Sequence, residues 1–219
     1  MPPAGRDAGA TPTAPTGPGD ISVRVEWKDV PLAARASPGR TPCDTPRTPQ
    51  VAPTTTWGVP GAAVIVEGVT KDPGEARVVL AGCSFAPRVV AGSSLVLASA
   101  HDRPARVTVT KVATVAHLET LVPTGARTVQ LPIAGHAVAI PVEAGAVYQL
   151  ATDAKEPELA WFIAGTAFVT EANGEIVIAG VPGGAHAVRA WLPPARLGKA
   201  TVTPVTGDLT AVTIDLSAP

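Results

Sequence analysis

Twenty-four prolines and 21 glycines are spread along the 219 residues of this chain. That density of breakers leaves little room for long helices. Between the breakers the sequence is rich in Val, Thr and Ile, residues that fit pleated strands. The pattern therefore reads as many short strands between frequent turns. A chain of this length holds one large all-β domain or two small ones, and it can bury a real core. Apolar residues supply 46% of it but aromatics only 4%, so Ala and Val must provide much of that core. The formal net charge is −1, with no basic or acidic block. Nothing in it points to a nucleic-acid surface or an electrostatic membrane anchor. No run reaches the roughly 18 to 20 apolar residues of a membrane span, so no direct span is expected.

Residues 1–19 are almost all Pro, Gly, Ala and Thr. They bury too little apolar area to offset their ordering entropy, and they read as a flexible tail that orders only against a partner. Ile21, Val23, Val25 and Trp27 alternate with Ser22, Arg24, Glu26 and Lys28, the period of a half-buried strand. A long Pro-rich loop over residues 31–57 holds Cys43. Residues 61–69 (GAAVIVEGV) read as a single, mostly apolar strand, as a central strand does. Further strands are predicted over 77–81, 88–90, 94–98, 107–115, 118–122 and 146–151, with a hairpin of 128–133 and 138–142 around Ala134-Gly135. After a polar break at 152–157, residues 160–170 read AWFIAGTAFVT with a bend at the glycine. Asn173-Gly174 is the strongest short hairpin signal, predicted to join 167–170 to 175–179. Strands over 186–192, 200–205 and 212–216 finish the chain. The expected fold is all-β, one sandwich or two in series, with a boundary near residues 165–173.

The residues that carry chemistry are few. Cys43 and Cys83 have no metal-binding spacing and leave two readings open, buried free thiols or a disulfide. A bridge would close a loop of about 40 residues, contribute on the order of 4 kcal/mol and imply an oxidising compartment. His101, His117, His136 and His186 form no pair at metal-ligand spacing. His101-Asp102 is a poor catalytic pair because adjacent residues in extended chain point apart. Ser93, Ser94 and Ser99 have no marked base, and no nucleophile elbow, phosphate loop or zinc-protease helix is present. Asp153, Glu156 and Glu158 read as a solvated loop, with a calcium site as the lesser option. No catalytic residue and no cofactor is expected. Trp27, Trp161 and Trp191 read as anchors of an Ala/Val core, and Trp57, in a Thr/Pro/Gly loop, as the Trp that touches a partner.

Two stretches carry a resemblance. Cys83-x-Phe85-x-Pro87-Arg88-Val89, followed by Gly92 and an apolar strand, resembles a bacterial periplasmic family of cupredoxin-like proteins. Asn173-Gly174-Glu175-Ile176-Val177-Ile178, with Val181-Pro182-Gly183-Gly184 and Ala190-Trp191, resembles the carboxypeptidase-regulatory-like (transthyretin-like) hairpin that closes such proteins. The resemblance implies a Cys43–Cys83 bridge and a packing role for His186. Beyond the flexible tail over 1–19, it implies a cupredoxin-like domain over 20–164 and a transthyretin-like domain over 165–219. The family's copper site needs a thiolate and two imidazoles. Its first His falls here on Pro104 or Ala105, and its Cys-x-x-His-x-x-Met run falls on Thr152, Lys155 and Glu158. The copper ligands are therefore replaced.

The resulting expectation is a non-enzymatic periplasmic binding or scaffold protein. It would be an accessory subunit on the periplasmic face of a membrane electron-transport complex, respiratory or photosynthetic, with protein subunits as partners. His101, Asp102, Arg103 and Arg106, the rim of the former copper end, and Trp57 are the candidate contact residues. A copper-binding electron carrier or chaperone and a carbohydrate or cell-surface adhesion module are the alternatives. The first twenty residues show no apolar leader core, which leaves a cytoplasmic location as the alternative to the periplasm.

Overall fold

The computed structural model describes residues 17–31, 34, 39–41, 43, 44 and 57–217. The fold is all-β. Its strands, in chain order, are β1 (Gly19–Glu26), β2 (Ala63–Val66), β3 (Glu75–Ala81), β4 (Ser84–Ala86), β5 (Val89–Gly92), β6 (Ser94–Ser99), β7 (Ala105–Thr114) and β8 (Thr124–Leu131). They continue as β9 (Ala137–Ile140), β10 (Ala146–Thr152), β11 (Leu159–Ala164), β12 (Phe168–Val169), β13 (Glu175–Val181), β14 (His186–Leu192), β15 (Arg196–Val202) and β16 (Leu209–Asp215).

These strands form four sheets, ordered β13-β1-β16, β12-β2-β14-β15, β5-β11-β10-β7-β8 and β4-β3-β6-β9. Three apolar layers lie between them. Ile21, Val23 and Val25 of β1 meet Val64, Val66, Val188 and Ala190 in the first. Leu80, Leu95 and Leu97 meet Leu150 and Phe162 in the third. The middle layer joins the two sandwiches: Ala63, Ile65 and Trp191 pack on Val112, Val147, Trp161 and Ile163. There the indole rings of Trp161 and Trp191 meet edge to face, 5.5 Å apart at 83°.

The division into residues 20–164 and 165–219 does not follow these sheets. β1, expected to lead the first sandwich, lies between β13 (antiparallel) and β16 (parallel). β2 lies between β12 and β14. The sandwich of β3–β11 is thus nested inside a sandwich made from both ends of the chain. Its entry and exit run side by side, where Lys71 N donates to Thr166 Oγ1 at 3.3 Å and that hydroxyl donates to Lys71 O at 2.7 Å. Alternation identified β1 as a strand, but alternation carries no information about its partner.

Two expected hairpins also open. β8 pairs with β7 and β9 with β6, so the turn at Ala134-Gly135 crosses between sheets. The Asn173-Gly174 turn forms, with Gly174 N donating to Glu171 O at 2.9 Å. Its flanking strands part, β12 to β2 and β13 to β1. This turn packs on Gly58 so closely that a Cβ there would collide with the Asn173 carbonyl. Residues 118–122 form no strand, and Leu118 is instead buried in the middle layer. The expected flexible tail lies, for residues 1–16, outside the described residues, as does most of the Pro-rich loop.

On the outer face of β1, Arg24 Nε donates to Glu26 Oε1 at 2.7 Å and Arg24 Nη1 to Glu175 Oε1 at 2.6 Å. The bond from Arg24, with Lys28 nearby, holds the Glu26 carboxyl below the usual glutamate range against the opposing effect of burial. A carboxyl lowered in this way stabilises the fold above its unfolded pKa, and the contribution disappears as pH falls through the folded one. Glu26→Gln is therefore expected to lower the urea midpoint at neutral pH, and the gap from wild type should close in acid. A pH-independent gap would contradict the assignment. Trp191 is fully buried. Trp191→Ala should cost about 3 to 5 kcal/mol by chemical denaturation, as loss of a large core aromatic does.

Candidate functional site

The connection between β6 and β7 (residues 100–104) is a polar turn fastened at three points. Ala100 N donates to Leu80 O at 2.9 Å, and Ala134 N donates to His101 O at 2.7 Å. His101 N donates to Ser99 Oγ at 3.1 Å. These bonds hold the turn against β3 and the β8–β9 connection. A cleft of about 540 Å³ opens beside it, at one end of the nested sandwich. His101, Arg103, Pro104, Ala105 and Arg106 form one wall.

Register supplies the rest. Arg106 sits opposite Gln130 of β8, and the next residue, Val107, opposite Thr152 of β10. Gln130 and residues Thr152, Asp153 and Ala154 thereby line the cleft. The second wall comes from the long β1–β2 connection. Cys43 is disulfide-bonded to Cys83, with Cα atoms 5.7 Å apart and a sequence separation of 40. Thr41, buried beside the bridge, donates its hydroxyl to Gly82 O at 3.4 Å and accepts from Cys43 N at 3.2 Å. Cys83 has φ +66° and follows Gly82 at +53°, a left-handed pair that turns β3 sharply into β4. The bridge fastens a connection of the outer sandwich to the far sheet of the nested one.

Of the residues singled out in the sequence, Cys43, Cys83, His101, Arg103 and Arg106 meet at this cleft. Asp102 is exposed on the same turn without lining it. Trp57 is elsewhere: its carbonyl accepts from Trp27 N at 3.0 Å, beside β1, and its side chain is 43% exposed. Trp27, Trp161 and Trp191 are buried. Leu80 and Gln130 were not legible as cleft residues, since only strand register brings them there.

Of the positions that correspond to copper ligands in the resemblance, Thr152 and Glu158 bond to each other through the backbone. Thr152 N donates to Glu158 O at 3.1 Å, and Thr152 Oγ1 accepts from Glu158 N at 2.9 Å. Glu158 is not part of a solvated loop; it is buried, with its carboxylate 3.5 Å from Arg88 Nη2. Lys155 is exposed, and Pro104 and Ala105 lie in the cleft wall. Among the described residues, no three His, Cys, Asp or Glu side chains are grouped to hold a metal ion. The histidines are dispersed. His117 lies 3.5 Å from Glu119, and His136 is exposed. His186 places its ring nitrogens 2.8 Å from Glu67 O and 2.7 Å from Pro182 O, which clips the turn before β14 to the end of β2. No helix among the described residues is long and apolar enough to cross a membrane.

Comparison with protein-family models, curated proteins and solved structures returns no match.

The disulfide closes a 40-residue separation. Replacing both cysteines by serine should lower stability by about 4 kcal/mol on the chain-entropy account. Thermal melting of Cys43→Ser/Cys83→Ser beside wild type measures it, and an unchanged midpoint would show that the bridge constrains nothing.

Proposed function

We propose that this is a non-catalytic binding or scaffold protein of an oxidising compartment, the periplasm, acting as an accessory subunit on a membrane electron-transport assembly, respiratory or photosynthetic. The observation that carries the reading is the end of the nested sandwich. A polar turn bearing His101, Asp102, Arg103 and Arg106 is held rigidly by main-chain bonds and fastened through Cys43–Cys83 to a second sandwich. Arg103 and Arg106 make no ion pair among the described residues, so their charge is available to a partner. Such a surface needs no ordering on contact, which keeps the entropic cost of association low.

The cupredoxin-like part of the reading is supported by the architecture of β3–β11. Two mixed sheets pack face to face, the pair β3/β6 is parallel, and so is the pair β5/β11. The transthyretin-like part is supported by the small sandwich that β12–β16 complete with β1 and β2. The assembly is the extension that the family resemblance brings. Trp57 offers a second contact: an exposed aromatic at φ +61°, a left-handed conformation that a bulky residue holds only when its surroundings impose it.

Purification of the native protein in mild detergent tests the proposal. Membrane subunits should co-purify, and Arg103→Glu/Arg106→Glu should release them while the far-UV spectrum stays unchanged. A monomer that brings down no membrane subunit would refute it.

A further inference from the structure

We infer that the cleft beside the Cys43–Cys83 bridge is a binding site for a small monocarboxylate with an apolar body. Its volume, about 540 Å³, is in the range of small-molecule sites. Its charge is unbalanced. Arg103 and Arg106 line it without an ion pair among the described residues, and Asp153 is the one acidic side chain in the lining. Two arginines against one aspartate leave a formal +1. That balance suits a single carboxylate better than a phosphate dianion, which Asp153 would oppose.

The donor geometry agrees with the charge. A guanidinium is a planar fork that matches a carboxylate with two parallel N–H donors. Arg106 and Gln130 are directly cross-strand partners, so their side chains rise on the same face and converge on one ligand group. The remaining lining is uncharged: Leu80, Pro104, Ala105, Ala154, Thr152 and the bridged cysteines offer a surface for hydrocarbon or an aromatic ring, not for a second charge. Because the bridge forms part of this wall, the cleft is complete only in the oxidised protein.

The cleft shares Arg103 and Arg106 with the proposed partner surface but is present in the isolated chain, so it is tested on the purified full chain alone, and failure here leaves the assembly reading standing. The isotopically labelled protein is titrated with hexanoate, benzoate and inorganic phosphate while amide shifts are followed. Saturable shifts confined to residues near 101–106 and 152–154 are expected for the two carboxylates, with dissociation constants on the order of 0.1 to 1 mM. Phosphate should bind more weakly than either. Arg103→Gln/Arg106→Gln, whose side chains lie on the exposed rim, should weaken hexanoate binding at least about tenfold with the spectrum of the fold intact. Absence of saturable shifts, phosphate binding tighter than the carboxylates, or an unchanged constant in the double variant would each overturn the assignment.

Discussion

Strands β2 and β11 have no solvent face. Val64 and Val66 point into the outer sandwich while Ala63 and Ile65 point into the joint. On the other side of the joint, Ala160, Phe162 and Ala164 fill the nested sandwich, while Trp161 and Ile163 face back. Each large apolar side chain removed from water contributes roughly 1.5 to 3 kcal/mol. The joint is therefore built like a core, not like a wet interface between independent domains. Two small sandwiches with few aromatics obtain from it a third apolar layer that neither has alone. The Trp161–Trp191 pair sits within that layer and fixes how the sheets meet.

The cleft depends on this joint at one remove. Its one wall belongs to the nested sandwich, its other to a connection that leaves β1 and must return to β2. Were the two sandwiches free to swing, Cys43 and the 101–106 turn would not hold a constant separation. Packing at the joint and the bridge at the far end restrain the same degree of freedom from two places.

The sequence was most legible where the signal was local. The alternation that begins at Ile21 folds as a strand, the apolar run of residues 61–69 does so over Ala63–Val66, and Asn173-Gly174 forms its turn although its flanking strands pair elsewhere. Partnering was not legible, because β1 finds β13 and β16 across more than 150 residues and nothing in its own eight residues names them. The same limit separated Ala134-Gly135 from a true hairpin: a turn signal fixes chain reversal, not the sheet to which the next strand goes. At the cleft, the charged turn was visible as a cluster, whereas Leu80 and Gln130 arrive through register. Glu158 was misread for a related reason. A carboxylate among polar neighbours looks solvated until Arg88, seventy residues away in sequence, is seen beside it.

The nesting that brings residues 71 and 166 side by side also bears on the order of events expected during synthesis. β1 emerges from the ribosome first, yet its antiparallel partner β13 begins at residue 175. Every strand of the nested sandwich is made in between and finds its neighbours within a far shorter stretch of chain. Closing the shorter loops costs less entropy. The inner sandwich can thus mature while the first strand of the chain still waits unpaired. Completed, it presents the formed outer surface of its β5-β11-β10-β7-β8 sheet as a template on which the later strands assemble. The part of the molecule that looks like an insertion is then the part expected to fold first.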